Sequence, residues 1–299
     1  MNHRRTLRVV LCGVILAGCT PPPSPPPPPT PEYVASIEDF RARRVERLKT
    51  SWLMIAGLYW LEPGDNPFGS APQNKVVFPD GAAPEYAGKF VYTDGSVMLE
   101  PADGVPFSID GQPVGPMPLT TGSDAEQVTL GRLTFWVIER AGRHAVRLRD
   151  PEFSALRDFR GIEFYPIGAA SAVEGRLEPY DEPRSVNIET VIGYDAEMFS
   201  LGRVEFELGG ESLSLEALVD SLEDESLFII FKDATSGKQT YGAGRYLSAP
   251  IDGENVKLDF NKAYNPPCAF TPHATCPLPP SGNTLGVAVE AGERAYHLD

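Results

Sequence analysis

Between Phe231 and Glu293 the chain gathers most of its side chains capable of chemistry. Asp233 is followed by Thr235 and Ser236, Arg245 stands between Tyr241 and Tyr246, and Asp259 is followed by Asn261, Tyr264 and Asn265. Two carboxylates and an arginine around one pocket could perform acid–base hydrolysis of an envelope carbohydrate or a related substrate, provided burial separates their pKa values. Arg245 could equally grip a carboxylate or phosphate through paired hydrogen bonds. Tyr241, Tyr246, Phe260 and Tyr264 would offer stacking surface to a sugar or lipid. The same residues also have a structural account, and it is the favoured one. Turn chemistry alone selects Asp, Thr, Ser and Gly, so Asp233 is expected to accept from Thr235 and Ser236 in an Asx-type turn. Strands at Ile229–Lys232 and Thr240–Leu247 would flank that turn, with Gly237 supplying positive φ. Arg245 and a partner aspartate would form a buried ion pair in an aromatic core. The leading functional expectation is therefore non-catalytic binding through this region, with Thr235, Ser236, Tyr241, Tyr246, Asn261, Tyr264 and Asn265 as ligand contacts. Hydrolysis by Asp233, Asp259 and Arg245 is the alternative.

Familiar catalytic signatures are missing from the sequence. It holds no G-x-S-x-G, no Walker-type lysine loop and no H-E-x-x-H. Asp233-Ala234-Thr235 lacks the glycine of an aspartic-protease motif, and Gly242-x-Gly244 lacks the third glycine of a dinucleotide loop. His144 and His297 have no neighbouring ligand types and read as surface or edge residues. No cofactor and no metal is expected. Cys12 would leave with a signal segment and Cys19 would carry lipid, which leaves Cys268 and Cys276 to form one disulfide in an oxidising compartment. Cys268, His273 and Cys276 could instead bind a metal. A fourth ligand and a recognised finger spacing are both lacking.

Several of these stretches carry a family resemblance. Phe231-Lys232-Asp233-Ala234-Thr235-Ser236-Gly237, Thr240 to Tyr246, Leu258 to Cys268, Cys276-Pro277-Leu278-Pro279-Pro280 and Ala291-Gly292-Glu293 resemble the bacterial family of unknown function DUF1684. The likeness extends more weakly to Trp52-Leu53, Gly57-Leu58 and Trp60-Leu61. It implies kinship and brings no activity, cofactor or substrate. Residues from Asn66 to Glu139 loosely resemble a forkhead-associated sandwich. That family's phosphate-binding positions do not carry over, because Ser70 stands where an arginine is expected and Pro84-Glu85 where a serine and histidine would begin. The resemblance implies a scaffold and not phosphothreonine recognition.

The elements that must position these residues begin with an address. Arg4, Arg5 and Arg8 precede an apolar run from Val9 to Ala17, too short to span a bilayer and typical of a cleaved export signal. Leu16-Ala17-Gly18-Cys19 resembles a lipobox, at which residues 1–18 would be removed and Cys19 acylated. From Pro21 to Pro31 only Ser24 and Thr30 interrupt the prolines. Such a segment should be a polyproline II rod, at about 3.1 Å per residue a tether for residues 19–35. The expected location is the cell envelope, membrane-anchored and facing the periplasm. Thr20 after the acylated cysteine resembles outer-membrane sorting in diderm bacteria. Expected partners are the membrane, through the anchor, and an envelope glycan, lipid or protein. The formal net charge of −15 repels phosphate backbones, so nucleic acid is not expected.

Ser36, with Asp39 three residues on, reads as a capping box opening an amphipathic helix over 36–50, its basic end, Arg43, Arg44, Arg47 and Lys49, forming a solvated face. Beyond Trp52 short apolar runs alternate with turn signals such as Asp94-Gly95, Asp110-Gly111 and Ala141-Gly142. This pattern predicts a mainly β protein of one or two packed antiparallel sandwich or barrel-like units behind a short N-terminal helix. Strands are expected at Lys75–Phe78, Lys89–Tyr92, Val97–Leu99, Val128–Leu130, Leu133–Glu139 and Ala145–Leu148 in a unit over 51–150. In a second unit over 151–299 they are expected at Ser185–Ile192, Gly202–Leu208, Leu227–Lys232, Gln239–Leu247, Val256–Phe260 and Leu285–Glu290.

Overall fold

The computed structural model describes residues 27–296. The export signal, Cys19, the tether up to Pro26 and His297 lie outside the described residues. Helix α1 spans Pro31–Thr50 and begins five residues before the expected Ser36 box. Its cap is Thr30, whose Oγ1 accepts from the Tyr33 amide at 3.2 Å, and Pro31 follows where its missing N–H costs nothing. Ser36 sits inside the helix and donates to the Tyr33 carbonyl. Ile37, Arg44 and Leu48 form the buried stripe. Arg44 therefore leaves the expected solvated face, for a reason that emerges below.

Among the described residues seventeen strands follow. Eleven build a sandwich from β1 (Ile55–Trp60), β2 (Gly64–Gly69), β3 (Val76–Val77), β4 (Gly88–Thr93), β5 (Ser96–Pro101), β6 (Phe107–Ile109), β7 (Gln112–Val114), β8 (Met117–Leu119), β9 (Val128–Leu130), β10 (Leu133–Arg140) and β11 (Arg143–Arg149). One sheet runs β1-β11-β10-β9-β6-β7 and the other β3-β2-β4-β5-β8. All pairs are antiparallel except β2 with β3. The three turn signals read from the sequence are two-residue hairpin turns. Thr93 pairs with Ser96, Ile109 with Gln112 and Arg140 with Arg143, and both central residues of each turn have positive φ. Such backbones match the twist of the flanking strands. Between the sheets Phe68, Phe78, Phe90, Phe107 and Phe135 pack against one another, with Phe68 stacked on Phe90 at 4.4 Å and Phe135 edge-on to Phe90 at 5.5 Å. Each buried ring contributes roughly 1.5–3 kcal/mol.

After the short helix α2 (Ser154–Arg157), a closed barrel forms from β12 (Ala172–Glu189), β13 (Asp195–Leu208), β14 (Glu211–Val219), β15 (Ser226–Phe231), β16 (Arg245–Asp252) and β17 (Asn255–Asp259). Val204, Phe206, Leu215, Leu227, Ile229, Leu247, Val256 and Leu258 fill it. Strand β14 was not among the expected strands, because its Glu, Leu and Ala content suits a helix equally well. The Gly209-Gly210 turn and the β13 ladder hold it extended.

Three other expectations are corrected. Leu285–Glu290 is irregular and not a strand, because its groups bond to side chains and loops instead of a ladder. The strand expected from Gln239 begins only at Arg245, since Thr240–Gly244 is spent in turns. His144 is buried, not an edge residue, with Nδ1 at 3.2 Å from the Tyr92 hydroxyl.

Candidate functional site

Arg245 opens β16 opposite Phe231 and is fully buried. Gly244 makes this possible. Its φ is +105°, and a Cβ there would fall 2.8 Å from the Phe231 carbonyl and 2.7 Å from Pro279. The Arg245 guanidinium donates to Asp233 Oδ2 and to the Val289 carbonyl, both at 2.9 Å, and to the carbonyls of Ala291 and Glu293. It thus ties the irregular stretch 289–293 to the barrel. The other Asp233 oxygen accepts from the amide and hydroxyl of Thr235 and from the Val289 amide, while the Asp233 amide donates to Ser236 Oγ. The expected Asx turn and the expected buried ion pair are one network.

A second network holds helix α1. Glu293, fully buried, accepts from Arg44 Nε at 3.0 Å and from the Asn265 amide at 2.7 Å. Burial pushes its carboxyl above the ordinary carboxylate range, and Arg44 pulls it back. Arg44 also donates to the Asn265 carbonyl and lies over the Tyr264 ring, so its burial answers a buried carboxylate. Asn265 Nδ2 donates to the Arg294 carbonyl. In a third group, Asp259 Oδ1 accepts from the Tyr33 hydroxyl at 2.7 Å, and Asn261 bridges Tyr33 and Gly168. The Tyr33 hydroxyl is pushed well above its usual range by burial and by Asp259.

Asp233, Arg245 and Asp259 therefore do not surround one pocket. Asp233 and Arg245 are paired in the core, and Asp259 with Asn261 seats the first turn of α1. Thr235 is sealed between Asp233 and Thr240, and the Tyr241 hydroxyl reaches the Cys268 carbonyl at 3.3 Å. Of the expected ligand contacts, Tyr246 alone borders an open cleft between sandwich and barrel, where its hydroxyl donates to the Pro277 carbonyl.

The Cys268–Cys276 disulfide is formed, with Cα atoms 6.2 Å apart. It closes the loop that walls this cleft. His273 lies inside the loop against Phe153, and burial depresses its imidazole pKa. Replacing both cysteines with serine is expected to lower stability by about 2–3 kcal/mol, the entropy of so short a closed loop, measured as a shift in the urea midpoint at unchanged slope. An unchanged midpoint would mean that the loop is held by its prolines alone.

The cleft lies between sandwich and barrel and encloses about 780 Å³. Trp52, Arg140 and Arg147 come from the sandwich side, Asn187, Thr190 and Tyr194 from the barrel hairpin, and Cys276-Pro277 from the disulfide loop. Arg147 is only 7% exposed, yet it has no ion-pair or hydrogen-bond partner among the described residues, and its Nε and Nη2 are buried without acceptors. Desolvation and the nearby Arg140 lower its pKa to about 10. It stacks on Trp52 at 5.2 Å, while Arg143 lies between Trp60 and Tyr194 and Arg149 lies over Trp136. The alternation Arg143-x-x-x-Arg147-x-Arg149 on β11 puts these cations on the sheet face opposite Val146 and Leu148. That alternation was the available sequence signal for this cleft.

These features define a two-unit β protein whose C-terminal motifs are spent on a buried arginine–carboxylate framework and whose open cleft lies beside it. Residues 157–294 match the model of the family described as protein of unknown function (DUF1684). An uncharacterized protein of Haloarcula marismortui, solved by NMR in solution, is 37% identical over 46% of this chain and 78% of that one, with a TM-score of 0.40. An FHA domain from a study of phosphothreonine-dependent interactions is 15% identical, covering 31% of this chain and 92% of its own, with a TM-score of 0.23. The FhaA FHA domain complexed with the intracellular domain of Rv3910 is 15% identical over 31% of this chain and 97% of its own, also with a TM-score of 0.23. No curated protein matches the chain.

Proposed function

We propose that this is a non-catalytic binding protein of the cell envelope, tethered to a membrane by an acylated Cys19, with its ligand site in the cleft between sandwich and barrel. The ligand presents an anionic group to Arg147. The observation that carries this reading is the buried, unpartnered Arg147 facing an open cavity. Removing an ion from water costs several kcal/mol unless a counter-charge or hydrogen bonds replace the lost hydration. An arginine beside an aromatic ring offers both a paired donor fork and a stacking plane. The cleft volume falls within the range of small-molecule sites. In this reading the C-terminal motif region binds through the wall it builds, Tyr246 and the disulfide loop. Asp233 and Asp259, each engaged in its own buried network, lend no support to the hydrolase alternative.

The test uses the whole chain in detergent, with thermal unfolding followed against a panel of small anions: inorganic phosphate, glycerol phosphate and N-acetylated amino acids. At least one anion is expected to raise the melting temperature saturably, as mass action requires of a native-state ligand. Arg147→Met, which keeps the packing on Trp52, is expected to abolish that rise. An equal rise in the variant, or no response to any anion, would overturn the reading.

A further inference from the structure

The cleft carries charges of both signs. Arg147 and Arg140 stand on the sandwich side, on β11 and at the end of β10, beside Glu139, whereas three carboxylates, Asp195, Glu197 and Asp220, border the same space from the barrel. None of these three carboxylates forms an ion pair with Arg147 or with any other cation among the described residues. Glu197 accepts only from Ser185 Oγ, and the Asp195 side chain has no hydrogen-bond partner among the described residues. Asp220 is pushed above the ordinary carboxylate range by desolvation and by Asp224, with Arg140 pulling it back. Were Arg147 simply structural, the shortest remedy for its burial would be one of the acids already bordering its own cavity. The fold instead leaves Arg147 unpaired and keeps three carboxylates on the barrel wall of the same open space.

Resting on the reading of the cleft as a site for an anion, we infer that its ligand is amphoteric, a short peptide or amino-acid derivative with a free amine as well as an acidic group. The acidic end pairs with Arg147 over Trp52, where the guanidinium is desolvated and its fork unfilled. The ammonium end lies against Asp195 and Glu197 on β13. Asn187, which lines the space between, can serve the peptide groups as donor and acceptor. The two charged ends are then bound by different β units, so the ligand bridges sandwich and barrel. A purely anionic ligand would meet the carboxylates unfavourably, and a purely cationic one would meet Arg147.

Calorimetry on the whole chain in detergent separates the possibilities with three probes: alanyl-alanine, N-acetyl-alanyl-alanine and alanyl-alanine amide. The free dipeptide is expected to bind at least tenfold tighter than either capped form. The surface double variant Asp195→Asn/Glu197→Gln should bring dipeptide affinity down to that of the acetylated form while leaving the acetylated form unaffected. If the acetylated and free dipeptides bind equally, the amphoteric inference falls and the anion reading stands. If only the amide binds, the anion reading itself falls. Absence of binding by all three overturns the inference.

Discussion

Replacing Arg245 with methionine is expected to leave a chain that does not fold. The guanidinium is fully buried and makes four hydrogen bonds, one to Asp233 and three to the carbonyls of Val289, Ala291 and Glu293. Methionine fills much of the volume and supplies none of the donors. Breaking a buried ion pair from one side costs about 3–5 kcal/mol, and each orphaned buried carbonyl adds roughly 1–3 kcal/mol. Together these reach the whole stability of an ordinary domain, about 5–15 kcal/mol. Arg245→Lys keeps the charge without the fork and should fold with reduced stability. Circular dichroism and urea unfolding of both variants check the order. A folded Arg245→Met protein with its melting transition intact would mean that the residue is not the framework element described above.

Glu293→Gln is expected to destabilise the protein by about 3–5 kcal/mol by stripping the counter-charge from Arg44, itself only 9% exposed. The amide keeps one acceptor but turns a donor toward the donors of Arg44 or Asn265. Arg44→Met leaves the complementary orphan, a buried carboxyl whose desolvation already opposes ionisation. The double variant Arg44→Met/Glu293→Met removes both charges. It should be markedly less destabilised than the sum of the single losses, and the difference is the coupling energy of the pair. Strict additivity would show that α1 is not held through this contact. If coupling is found, the pair joins the Tyr33–Asp259 contact in holding α1 to the body.

The local chemistry of this fold was open to reading in the residues, and the long-range pairings were not. Asp94-Gly95, Asp110-Gly111 and Ala141-Gly142 announce hairpins because few other residues tolerate two consecutive positive φ values. The Asx turn at Asp233 is equally local. By contrast, Arg44 and Glu293 lie 249 positions apart, and only the closed barrel brings the C-terminal stretch under α1. The basic end of that helix therefore read as a solvated face. Asp259 and Asp233 carried the same residue-type signal and went to different networks, because β17 and β15 deliver them to different contacts. Glu293 stood in a quoted motif without a role, since a carboxylate's partners cannot be read from its neighbours in sequence. The cleft was least visible. Arg147 looks in sequence like an ordinary outward strand residue, and its burial depends on a barrel hairpin and a disulfide loop that begin tens of residues later.

The most direct test of the ligand site is the arginine Nε–Hε spectrum of the whole chain in detergent, with the Arg147 resonance assigned by its loss in Arg147→Met, during titration with N-acetyl-alanyl-alanine and alanyl-alanine. The account predicts a saturable shift of the Arg147 signal, with those of the enclosed Arg44 and Arg245 unmoved. Shifts spread over exposed arginines while Arg147 stays still would contradict it.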